Sequence, residues 1–198
     1  MHGHLLSGTP VRCLLLGLAL LSAGCVIHSE APLSDPDKAT PNDKLLGEWV
    51  SPSKDDPYTL TVTKAPAGCP PGVMTLSFPG NYVLFFSSDI KGKTYVNLCG
   101  GWVSSPEKLP TWAKARQGPF GIVKYAVEDD SVVLWSHDEP FLQDLVRRGK
   151  LKGTIQDTGG KYSWPTALLK ESTANLAQFV LREDKKLFPT QGKFKRVK

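Results

Sequence analysis

Ser136, His137 and Asp138 stand side by side in the stretch from Ser136 to Pro140, and these are the three residue types a serine hydrolase uses. In such an enzyme the nucleophile, base and acid converge from separate elements, with the base oriented by the acid. Three consecutive residues leading into a helix lack that arrangement. They read better as a capping segment, with Asp138 at the N-cap and Pro140 in the first turn. The paired acids Asp55-Asp56 and Asp129-Asp130 fall in turns, where nothing sets the carboxylate separation that glycoside hydrolysis needs. Gly92-Lys93-Thr94 lacks the earlier Gly of a phosphate-cradling loop and does not open a helix. There is no G-x-S-x-G, no H-E-x-x-H and no dinucleotide fingerprint. After Cys25 only His28 and His137 remain, too few for a His-rich metal site. The residues therefore point away from an enzyme, and neither a cofactor nor nucleic acid is expected.

Cysteine carries the chemistry that is left. Met1 to Arg12 is a short polar region with one fixed positive charge, Arg12. Cys13 to Leu21 is unbroken apolar or Gly, and Ser22, Ala23 and Gly24 are small. That is the three-part layout of a secretory signal, and it falls short of the roughly 20 apolar residues a membrane span requires. Leu21-Ser22-Ala23-Gly24-Cys25 resembles the lipobox of bacterial lipoproteins. The resemblance implies cleavage before Cys25 and a diacylglycerol on its sulfur, which makes Cys25 the lipidation site and the membrane the first partner. A signal cut near Ala23 that leaves Cys25 as a free thiol is the competing reading. One acyl chain holds a protein only marginally, whereas two or three make the attachment durable. Val26 stands where an Asp would mark inner-membrane retention, so the resemblance favours the periplasmic face of an outer membrane in a Gram-negative cell. In that oxidising compartment Cys69 and Cys99 are expected to form a disulfide. It would close a loop of about 30 residues and contribute about 3 to 4 kcal/mol. A redox or metal pair would want C-x-x-C spacing, which these two lack.

Three regions would position these residues: a signal peptide over 1–24, a lipidated flexible tether over 25–43, and a β-rich domain over 44–198. The tether, from Val26 to Asp43, is rich in Pro, Ser, Asp and Ala and has no apolar periodicity. Beyond it come short strand-like runs separated by turns. Val73 to Phe78 and Tyr82 to Ile90 flank Pro79-Gly80-Asn81, a hairpin signal. Lys91-Gly92 turns into a strand from Lys93 to Cys99, and Ile122 to Asp130 pairs with Ser131 to Asp138. Such short connections make the neighbours antiparallel. Two helices interrupt the strands. One follows Asp138 and stops at Gly149; the other follows Ser172 or Thr173, with Leu176, Phe179 and Val180 on one side. The fold class is thus mainly β with two short helices, a single antiparallel barrel or strongly curved sheet. The long stretch from Gly100 to Gly121 carries Trp102 and Trp112. It reads either as a flap over an open barrel end or as a loop pinned down by its aromatics.

Leu45-Leu46-Gly47-Glu48-Trp49 resembles the Gly-x-Trp opening of lipocalins, whose Trp plugs the narrow end of an eight-stranded, ligand-holding barrel. The mature chain as a whole resembles a group of small uncharacterised bacterial lipoproteins. A lipocalin-like domain has Trp49, Phe86 and Trp102 as candidates for lining a site for a small hydrophobic or amphipathic ligand. Small barrels are often filled by their own side chains, which favours a structural or protein-interaction module meeting another envelope protein. The net charge of +5 is concentrated near the end of the chain, where Lys185, Lys186, Lys193, Lys195, Arg196 and Lys198 occur without an acid among them. That end reads either as a site for anionic lipid or acidic polymer or as a solvated terminal strand.

Overall fold

The computed structural model describes residues 26–51, 57–157 and 165–197. The expected signal peptide, Cys25 and the Asp55-Asp56 turn lie outside the described residues. Eleven strands form one sheet: β1 (Ile27–Ser29), β2 (Gly47–Val50), β3 (Thr59–Lys64), β4 (Val73–Phe78), β5 (Asn81–Ile90), β6 (Lys93–Val103), β7 (Phe120–Glu128), β8 (Ser131–Ser136), β9 (Gly153–Gln156), β10 (Thr166–Leu169) and β11 (Thr190–Arg196). Among the described residues three α-helices accompany them: α1 (Trp112–Ala115), α2 (Glu139–Arg147) and α3 (Thr173–Leu187).

Eight of the strands close on themselves. Their order is β6-β5-β4-β3-β2-β11-β8-β7, and β7 returns to pair with β6, from Thr94↔Tyr125 to Cys99↔Phe120. Every pairing around the ring is antiparallel, which agrees with the tight connections. The result is a closed eight-stranded antiparallel barrel with helices outside it, as a lipocalin-like fold requires. The β5–β6 hairpin turns at Lys91 and Gly92, both with positive φ, and β7–β8 turns at Asp129 with φ 45°. These backbone values suit the tight primed turns that match strand twist. Helix α2 starts at Asp138, whose carboxylate accepts from Phe141 N at 3.0 Å, and α3 starts at Ser172, whose hydroxyl accepts from Asn175 N.

At its first residues β7 has a second partner in place of β8. Ile27↔Ile122 and Ser29↔Phe120 join β1 to it antiparallel, β1 then pairs parallel with β10, and β10 pairs antiparallel with β9. This three-stranded extension corrects the expectation of a flexible tether over 25–43. Ile27 and Ser29 are fully buried, and Leu33 and Pro36 are buried too. Side chains supply the order that apolar periodicity does not. Leu33 N donates to Asn97 Oδ1 at 2.9 Å, Ser34 meets Ser88 at 2.6 Å, and Asn42 Nδ2 donates to Tyr125 Oη at 2.8 Å. Residues 26–46 are therefore a strap, running from the extension across β6 and β5 to the barrel end where Leu45 and Trp49 sit.

Strands β5, β6 and β7 are buried on both faces, which explains why they read as near-continuous apolar runs. Their inner residues, among them Val83, Phe85 and Leu98, join Trp49, Leu60 and Phe194 in the barrel core. Their outer residues form two further clusters. Tyr95 and Ile122 pack under α3 and the β1-β10 extension, while Leu84, Phe86, Cys99 and Phe120 pack with α1.

Candidate functional site

The barrel interior was the place to look for a ligand. Trp49 lies there, 2% exposed, with its Nε1 donating to Leu45 O at 2.8 Å. The Arg196 guanidinium covers the Trp49 ring at 4.1 Å and donates to Leu46 O at 2.7 Å and Lys44 O at 2.6 Å, which seals that end. Gly47 has φ +121°, and a Cβ there would come within 2.8 Å of Arg196 Nη1, so the Gly before Trp49 makes room for this lid. At the other ends of the same strands, Tyr58 packs edge-on against Phe78 and Phe194, with ring centroids 5.1 and 5.6 Å apart. Between the two closures a cavity of about 50 Å³ remains, lined by Leu60, Leu76, Phe85, Val96 and Tyr125 among others. Pockets that take drug-sized ligands run to roughly 300–1,000 Å³. The centre of the barrel is filled by its own side chains, while a second cavity of about 380 Å³ lies at the end where β7 begins, lined by the inward-facing Val83 and Leu98.

Trp49, Phe86 and Trp102 do not converge. Phe86 is fully buried on the outer side of β5, edge-on to Trp112 at 6.4 Å and to Phe120 at 6.5 Å. Trp102 is 37% exposed and sits at the rim of the cavity at the barrel end, apart from Trp49 and Phe86. The two tryptophans of the 100–121 stretch thus part company. Trp112, on α1, pins the stretch to the barrel wall, and Trp102 stays at the surface. The stretch is more regular than a flap, since β6 runs on to Val103 and α1 adds a third helix that composition did not reveal.

Cys69 and Cys99 both belong to the cluster beneath α1. Burial, with the neighbouring Cys69 acting in the same direction, pushes the Cys99 thiol up to about 12; burial raises Cys69 as well. Both are free thiols in this structure, so the expected bond is not formed although the two groups are close enough to affect each other.

Polar groups concentrate on the same outer wall. Asn97, fully buried, donates to Ser88 Oγ at 2.8 Å while accepting from Leu33 N. Asp184 of α3 accepts from Lys124 at 2.8 Å and Lys93 at 2.9 Å, and Tyr95 Oη donates to it at 3.2 Å. Burial pushes the Asp184 carboxyl up, but the hydrogen bonds and charges of the two lysines outweigh it and hold it below the ordinary range. Tyr95 moves up through burial and the adjacent carboxylate. This quartet was not singled out from the sequence. Its signal was Asp184 itself, an acid on the stripe that Leu176, Val180 and Leu187 bury in α3. His137 does not face Ser136 as a base. Its Nε2 lies 2.7 Å from Glu139 Oε2, and Asp138 is occupied at the helix cap.

The basic end is built in as well. Lys185 and Lys186 finish α3, Lys193 pairs with Glu128 at 3.0 Å, and Arg196 is the barrel lid. Among the described residues no three His, Cys, Asp or Glu gather where a metal could be held, and no helix is long and apolar enough to cross a membrane.

The chain is thus defined as a closed eight-stranded antiparallel barrel with a strapped outer wall. In comparison with known proteins, no family model matches it, and neither a curated protein nor a solved structure does.

Proposed function

We propose that this protein is a non-catalytic interaction module of the bacterial envelope, anchored to the membrane by lipid on Cys25. The observation that carries the module reading is the filled centre of the barrel: about 50 Å³ between the Arg196–Trp49 lid and the Tyr58 cluster. That volume favours a module over the alternative, a lipocalin-like carrier of a small hydrophobic or amphipathic ligand, because a carrier must hold its cargo out of water. What distinguishes the rest of the surface is the outer wall covered by α2, α3 and the β9–β10 pair, so contact with another envelope protein would be made there. The anchor rests on the resemblance of residues 21–25 to a lipobox, and Val26 favours the outer membrane by the same resemblance.

Metabolic labelling with a clickable fatty acid tests the anchor. The native chain should take up label and Cys25→Ser should not; equal labelling, or none in either, contradicts it. Native mass spectrometry of the protein purified from cell extract tests the module, which predicts the bare polypeptide mass plus its lipid. A retained small ligand in the barrel would restore the carrier reading.

A further inference from the structure

The strap changes what an anchor at residue 25 would do. Val26 is buried, and a Cβ on Gly121 would come within 2.5 Å of its Cγ1, so Val26 lies directly against the β7 backbone. Ile27 and Ser29 follow with no exposure, paired on both sides by β7 and β10. No spacer therefore exists between residue 25 and the folded wall. Consecutive Cα atoms are about 3.8 Å apart, so whatever Cys25 carries leaves the protein within a residue's length of Val26.

Val26 also lines a cavity of about 380 Å³ at the end of the barrel where β7 begins, together with the inward-facing Val83 and Leu98 and, at its rim, Trp102, Pro119 and Phe120. Trp102 is one of only two large hydrophobic side chains exposed among the described residues, the other being Val197. Lys114 also borders the cavity, and its residue is exposed. An indole at a membrane–water boundary places its apolar body toward the acyl chains and its N–H toward water. A lysine beside it can lay its stem on apolar surface and keep its ammonium among headgroups.

We infer that this end of the barrel rests directly on the phospholipid surface, with Trp102 at the headgroup boundary and Lys114 beside it. The inference rests on the anchored reading above and adds an orientation. The domain sits flush on the bilayer, with the β1-side wall inward and the rest of the barrel presented to the periplasm. The occupant is a bilayer because the chain leaves the cavity's edge at the very residue that would carry the lipid.

The test uses the full chain as recovered from cell membranes, reconstituted into vesicles of phosphatidylcholine and phosphatidylglycerol whose acyl chains carry bromine. Bromine should quench the tryptophan emission of the native protein, and Trp102→Phe should reduce that quenching several-fold at an unchanged thermal midpoint. Peptides covering Gly100 to Pro119 should also exchange amide hydrogens more slowly on vesicles than in the soluble Cys25→Ser protein, a readout that needs no change at Trp102. A protein that never enters the vesicle fraction and lacks lipid mass overturns the anchor, and the orientation with it. A vesicle-bound, lipid-bearing protein whose quenching is absent or unaffected by Trp102→Phe overturns the orientation alone.

Discussion

Phe85 and Phe86 are neighbours on β5 and point to opposite sides of the barrel wall, both essentially without exposure. Phe85 belongs to the apolar core of the barrel, where the space closes to about 50 Å³. Around Phe86 the wall is covered by α1 and Trp112, with two thiols alongside and the polar contacts of Asn97 and Ser88 close in sequence. The inner side could be rebuilt with other apolar residues of similar volume. The outer side depends on particular partners far apart in the chain, such as Leu33 with Asn97 and Asp184 with Lys124. Stability can come from either side, but the specific long-range polar contacts are concentrated outside.

The largest expected effects ask whether the two sides are equally well packed. Phe85→Ala and Phe86→Ala should each cost about 3–5 kcal/mol in urea unfolding of the purified domain. A cost for Phe86→Ala several-fold smaller than for Phe85→Ala would show that the outer cover is only loosely seated. Oxidation comes next. If Cys69 and Cys99 are joined in the envelope, adding reductant should lower stability by about 3–4 kcal/mol, and thiol titration of the denatured native protein should find neither group free. A protein indifferent to reductant, with both thiols titrating, would mean that the pair stays reduced.

Removing the acid from the α3 contact, Asp184→Ala, should cost about 3 kcal/mol because it leaves the half-buried Lys124 without a partner. The sign of its pH dependence follows from the direction of the shift. Asp184 is held below the value of about 3.9 it has in an unfolded chain, so its contribution is present above that value and lost as pH falls through the lower folded one. Tyr95 is raised, so its contribution is present below about 10 and lost as pH rises through the folded value. The native protein should therefore lose stability on the acid side more steeply than Asp184→Asn, and parallel acid profiles would contradict the contact. The smallest effect is on the lid. Arg196→Ala gives up the stack on Trp49 and two carbonyl contacts at the surface, for about 1–2 kcal/mol. A larger loss would mean that the lid, rather than the packed interior, keeps the barrel closed.

Much of this barrel can be read in the amino-acid order because turns are local. Pro79-Gly80, Lys91-Gly92 and Asp129-Asp130 each announce a hairpin, and Asp138 and Ser172 each announce a helix. The strand from Tyr82 to Ile90 is equally legible, but not the side to which Phe86 turns: expected as a lining residue, it packs on the outer side against Trp112. The strap was invisible for a different reason. Its burial comes from side chains such as Asn97, 64 residues from Leu33 in sequence, and a Pro-, Ser- and Asp-rich segment has no period to betray it. The parallel β1–β10 pairing and the closure of β6 on β7 are equally non-local. The charged quartet needed the helix stripe and the sheet register together, since Asp184 looks unremarkable among the lysines that follow it.

The N-terminal strap must be part of the fold for an anchor at residue 25 to hold the domain flush against the bilayer. Hydrogen exchange on the full-length native protein tests this most directly. Amides of Ile27 to Leu33 should be protected to a degree comparable with those of Phe120 to Ile122, the strand they pair with. Complete exchange of residues 26–38 at the earliest time, beside a protected β7, would show a free tether and contradict the account.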